Sequence, residues 1–149
     1  MISTFLVVLT IGVTIGLIYV ERTTSSRPSS ISEHYRGSEL LDEFDIPEKY
    51  PKSINDLLLT THTHIIAFAF IFVILGGLTF FSSILKGGLK TFLMIEPLVS
   101  SCITFGSIWG IRFISPHFGI VAMISGILMY MSFYVIIAAL LIEAIPRRS

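Results

Sequence analysis

Cysteine and charge are what this sequence has least of. One Cys among 149 residues excludes an intrachain disulfide framework and any Cys-based metal cluster. Charged residues make up 13% of the chain, about half the share expected of a soluble domain, and ten basic residues balance ten acidic ones. No block of like charge offers a nucleic-acid footprint. No Gly-rich loop ends in Gly-Lys-Ser/Thr, which leaves a nucleotide-phosphate cradle without its residues. Neither a nucleophile-base pair nor paired catalytic carboxylates can be picked out, which argues against a stand-alone hydrolase or transferase.

Long apolar runs take the place of charge. Residues Ile2–Val20, Leu57–Leu85 and Phe113–Ile142 contain no Asp, Glu, Lys or Arg, and Thr91–Ile111 is broken only by Glu96. Each run reaches or exceeds the ~20 residues that carry a helix across a ~30 Å hydrocarbon core. The fold expected is an all-α membrane protein: an up-down bundle of four transmembrane helices with one long extramembrane loop between the first two. The division expected is an anchor helix over 1–20, an extramembrane loop over 21–53, a three-helix region over 54–145 with spans near 60–85, 90–113 and 116–143, and a basic tail over 146–149. The first run has no basic residue ahead of it and no small-x-small cleavage site before Glu21, so it reads as a retained anchor and not a signal peptide.

The loop divides by composition. Residues 23–30 are rich in Ser and Thr and read as a flexible linker, and residues 35–50 are acidic. Ser53-Ile54-Asn55-Asp56 has the form of a capping box, so the second helix is expected to start ahead of the membrane. Lys86-Gly87-Gly88-Leu89-Lys90 predicts a tight turn joining spans two and three. Ser115-Pro116 is an N-cap followed by proline, opening span four. Gly12-x-x-x-Gly16 and Gly106-x-x-x-Gly110 are small-residue faces suited to close helix packing. Span three, with Ser100, Ser101, Thr104 and Ser107 besides, is expected at the centre of the bundle. Connectivity puts the long loop, Arg112 and His117 on one membrane face and Lys86, Lys90, Glu143, Arg147 and Arg148 on the other. The dense basic residues of the second face favour it as cytoplasmic. The expected location is a bacterial inner membrane, with the long loop periplasmic and both termini cytoplasmic.

Histidine is the residue type with the most chemistry to offer. His34, His62, His64 and His117 all fall on the long-loop side, the last three at the membrane boundary with Arg112 at the same depth. Successive alternate residues on an α-helix point about 200° apart, so His62 and His64 cannot easily share one metal ion. One of them, paired with His117 across two spans, has the residue types and depth for a bis-His haem b, with Arg112 offsetting a propionate. The competing assignment makes all three interfacial histidines, hydrogen-bonded to Thr60, Thr61, Thr63 or lipid head groups. Glu96-Pro97, inside span three, is open to two readings: proton or ion handling, or charge pairing with Lys90 or Lys86 near the short-turn face. Glu143 reads as pairing with Arg147 and Arg148.

Thr61-His62-Thr63-His64, followed by an aromatic and aliphatic run into Gly76-Gly77, resembles the H-x-H helix of the catalytic subunits of haem-copper oxidases and nitric oxide reductases. That resemblance covers about seventeen residues and implies His62 and His64 as haem-iron ligands. Four spans and four histidines are too few for a complete oxidase. Glu48-Lys49-Tyr50-Pro51-Lys52-Ser53, with Phe92–Pro97 and Thr104–Trp109, resembles small four-span bacterial membrane proteins of unknown function. The role expected is an accessory or cytochrome-like subunit of a membrane complex, or else a non-redox assembly subunit whose loop docks partners. The expected partners are the lipid bilayer and either other membrane subunits or further copies of the chain, with no nucleic acid.

Overall fold

A computed structural model describes residues 1–25, 27–38 and 46–144. Its helices are α1 (Ile2–Thr24), α2 (Pro28–Arg36), α3 (Ile54–Phe81), α4 (Gly87–Phe113) and α5 (Phe118–Ala144). Four of them, all but α2, are long and apolar enough to cross a membrane. The protein is an all-α membrane protein, and α4 packs against both α3 and α5 at the centre of the bundle.

Local chemistry sets the helix ends. Ser53 caps α3, its hydroxyl accepting the Asp56 amide at 3.1 Å, as the capping box requires. The helix stops at Phe81, four residues short of the apolar run's end. Ser82 leaves helical geometry, and its hydroxyl accepts from the amides of Ile84 and Leu85, turning the chain. The reversal therefore occupies 82–86, and the glycines expected to form the turn instead open α4, with Gly87 at φ 57°. At the other face, Phe118 N–H donates to the Ser115 carbonyl and Gly119 N–H to the Pro116 carbonyl. These bonds make 115–117 a turn, and α5 starts one residue after His117.

The loop expected over 21–53 is partly helical. α1 runs on to Thr24 before Ser25 closes it in the left-handed region, at φ 49°. Residues 28–36, the first three of them in the stretch read as a linker, form α2. Pro28 is at its first position, where the missing N–H costs nothing, and Ile31 and Tyr35 recur four residues apart on one face. That face packs on Ile111, Ala122, Phe118 and Met123. The Ser32 hydroxyl donates to the Pro116 carbonyl at 2.6 Å. Gly119 makes this seat possible: a Cβ there would lie 2.4 Å from Ser32 Oγ and 2.6 Å from the Pro28 carbonyl oxygen. Ser/Thr composition hid a helix whose stability comes from packing.

After α2 the chain doubles back. Glu33 binds Ser38 Oγ at 2.8 Å and Lys49 Nζ at 3.1 Å, and the Lys52 amide donates to the Tyr35 carbonyl. The Ser38 hydroxyl, with the Lys49 ammonium next, holds the Glu33 carboxyl below its ordinary value. Burial, seconded by Lys52 and Lys49, pulls His34 below its own.

Candidate functional site

The long-loop face carries the histidines and Arg112, placed by different elements. His64 lies on the α4 side of α3. Its ring packs 5.2 Å from that of Phe105, and its Nδ1 is 2.8 Å from the Thr60 carbonyl oxygen. A carbonyl only accepts, so Nδ1 donates this bond. His62, like His64, is exposed. His117 borders a cleft of about 670 Å³ walled by α2, residues 46–48 and the start of α5. Among the described residues no hydrogen bond or ring contact joins His117 to His62 or His64, and no three His, Cys, Asp or Glu residues cluster as a metal set.

Arg112 donates through Nε to the Lys52 carbonyl at 3.1 Å and stacks its guanidinium over Phe113. It ties the chain leading into α3 to the end of α4. Trp109 donates to Thr61 Oγ1 at 2.9 Å and links α4 to α3 next to the histidines.

The second concentration of polar groups lies inside the membrane-spanning region. Glu96 is 7% exposed, with Ser100 donating to one carboxyl oxygen and Ser132 of α5 to the other. The expected pairing with Lys90 or Lys86 does not form. Lys90 turns to the Ser82 carbonyl at 2.9 Å, and among the described residues no salt bridge reaches Glu96. The reason is angular: Glu96 lies on the α5 side of α4 with Pro97, Ser100 and Ser101, all buried. Glu143 accepts the Ser83 amide at 2.6 Å, and its expected partners Arg147 and Arg148 lie outside the described residues.

Further hydroxyls continue the α4–α5 seam. Thr104 and Ser125 share a hydrogen bond of 2.8 Å, and Ser107 turns back to the Ile103 carbonyl. Reading the sequence for histidine overlooked Ser125 and Ser132. Their spacing of seven residues, on one face of an otherwise apolar helix, is the signal that marks them.

A family model described as a transmembrane helical domain matches residues 25–149. This chain belongs to that family. The match begins at the last residue before the α1–α2 turn, so it takes in α2 to α5 and leaves α1 outside. No curated protein and no solved structure matches the chain.

Proposed function

We propose that this member of the transmembrane helical domain family is an accessory subunit of a larger membrane assembly, in a bacterial inner membrane with the 82–86 turn cytoplasmic. Unequal helix packing carries the reading. Gly110 of α4 and Gly119 of α5 are buried tightly, whereas both Gly12 and Gly16 of α1 are exposed, as Gly106 of α4 is, and a Cβ at any of these three would meet nothing within 4 Å. Small residues on one helix face let a second backbone approach closely in lipid, where hydrophobicity itself gives helices no reason to associate. The open face of α1 suits a helix of another subunit or of a second copy. Native mass spectrometry of the protein extracted in mild detergent tests this. A species heavier than the 16.6 kDa monomer is expected, reverting to monomer in Gly12→Leu/Gly16→Leu. A wild-type chain that is monomeric at every lipid ratio rejects the reading.

A haem b at the long-loop face is a second reading, favoured by the hydrogen bond of His64 to Thr60. A metal-ligating imidazole commonly donates its other N–H to a backbone carbonyl, as Nδ1 does here to Thr60. His64, with His117 as the second axial candidate, is then a better ligand than His62. Arg112, steadied through Nε, has its terminal nitrogens for a propionate. His64→Ala and His117→Ala should abolish a reduced-minus-oxidised haem b spectrum, and His62→Ala and His34→Ala should leave it. A colourless purified complex rejects haem and leaves the accessory role standing.

A further inference from the structure

We propose that Glu96 is a proton-binding site at the middle of the membrane, held between α4 and α5. Depth is the first support. The midpoint of α5, Phe118–Ala144, is residue 131, and the side chain that receives Glu96 is Ser132. Glu96 itself lies nine residues into α4, or ~14 Å along the helix axis at 1.5 Å per residue. A carboxylate at this depth is costly unless it is neutralised or solvated. No cation among the described residues forms an ion pair with it. The proton is the ligand that removes the charge without enlarging the site.

The hydrogen-bonding groups suit both states. As a carboxylate, Glu96 accepts from Ser100 and Ser132, one hydroxyl on each oxygen. As a carboxylic acid it has one O–H to donate, and a serine hydroxyl accepts as readily as it donates. A serine that takes that proton turns its own hydrogen to a helix carbonyl, as Ser125 does to Val121 at 2.7 Å. Carboxylate and proton combine to the acid and separate again, with no electron moved and no bond changed elsewhere. The two states differ by hydroxyl rotation, so exchange requires no repacking. An arginine or lysine partner would have fixed one charge state.

The surroundings contribute little competing charge. α5 offers Tyr130, Tyr134 and, near its end, Glu143; the Tyr134 hydroxyl is engaged with Thr14 of α1 at 2.8 Å and Glu143 with the Ser83 amide. From residue 65 to its end α3 carries no ionisable side chain, and on α4 the exposed Cys102 and the Ser82-bound Lys90 are the other titratable groups before Arg112.

The test is carbodiimide labelling of the full chain in proteoliposomes across a pH series, read by mass spectrometry alongside infrared spectra of the carboxylic-acid carbonyl stretch. Dicyclohexylcarbodiimide attacks protonated carboxyl groups in apolar surroundings. An adduct at Glu96 that is lost as pH rises, in step with the infrared band, is the expected result. Glu96→Gln, which keeps the shape and one acceptor oxygen, should lose both signals. Ser132→Ala removes one donor to the charged form and should extend labelling to higher pH. A pH-independent adduct and band would mean a permanently protonated structural acid and would overturn the proposal. Absence of both at every pH, in a chain whose helix content is intact, would overturn it equally. Should Glu96→Gln fail to fold, the wild-type titration decides alone.

Discussion

α1 and the α4–α5 pair are both apolar helices of membrane-crossing length, and they are held in place very differently. α1 has two buried residues, Leu6 and Thr24, and among the described residues its side-chain hydrogen bond to another helix is Thr14 to Tyr134. α4 and α5 bury ten residues each, among them Glu96, Ser100, Ser101, Ser107, Ser125 and Ser132. In lipid an apolar side chain gains little by leaving the acyl chains for another helix, so what separates the two regions is the polar and small residues inside them. The family match, which starts at residue 25, falls on the same boundary.

Substitution at Gly119 gives the largest effect expected from that contrast. Gly119→Val would drive a branched side chain into Ser32 and the Pro28 carbonyl, displacing α2 from the α4–α5 end. Overpacking of this kind typically costs about 1–3 kcal/mol. Limited proteolysis should then cut within 28–36, where the wild type resists. Gly12→Val on α1, with open space around it, should leave the proteolysis pattern unchanged. Equal effects at the two glycines would break the comparison.

Trp109→Phe keeps a ring for stacking on Phe113 but removes the bond to Thr61. Interhelical hydrogen bonds in membranes average about 0.6 kcal/mol, so a loss of that order is expected in detergent unfolding curves. Thr61→Val should cost a similar amount, and the double variant no more than either alone.

Acid should loosen the segment beyond α2 before it reaches any span. The depressed Glu33 carboxyl stabilises the folded form above its ordinary value of 4.5, and that contribution is lost as pH falls through the lower folded value. His34 acts in the same direction. Its folded value lies below the ordinary 6.5, so the fold favours the neutral ring and acidification below 6.5 favours the open form. The protection factors of the Lys49 and Lys52 amides, corrected for the intrinsic slowing of exchange in acid, should therefore fall with falling pH, while those of the α4–α5 amides hold.

Removal of residues 1–24 is expected to do least. The remaining chain should keep its far-ultraviolet helix signature in proportion to its length, and its Trp109 emission unchanged. Collapse of α3–α5 on losing α1 would show that Leu6 and Thr14 do more than their few contacts indicate.

The four spans and the start of α3 were legible because charge-free length and a capping box are local properties. Angular position was not. Lys90 is six residues from Glu96 in sequence, and depth alone made it the natural partner. Ser132, thirty-six residues away, reaches Glu96 because α5 crosses α4 at the right rotation, which hydropathy does not encode. α2 escaped notice for a related reason. Nine residues make a marginal helix in isolation, and the surface that stabilises it comes from Ile111, Phe118 and Ala122, far along the chain.

The Ser32–Pro116 bond spans 84 residues, and that separation has a consequence for synthesis. At about 5–20 residues per second, α2 leaves the ribosome roughly 4–17 s before the turn that receives it. Throughout that interval Ile31 and Tyr35 have no protein surface to cover them, and the membrane interface is the nearest shelter. α2, too short to hold a helix alone, thus gains its stabilising surface only once the last hairpin has been inserted, and from then on it clamps that end of the bundle.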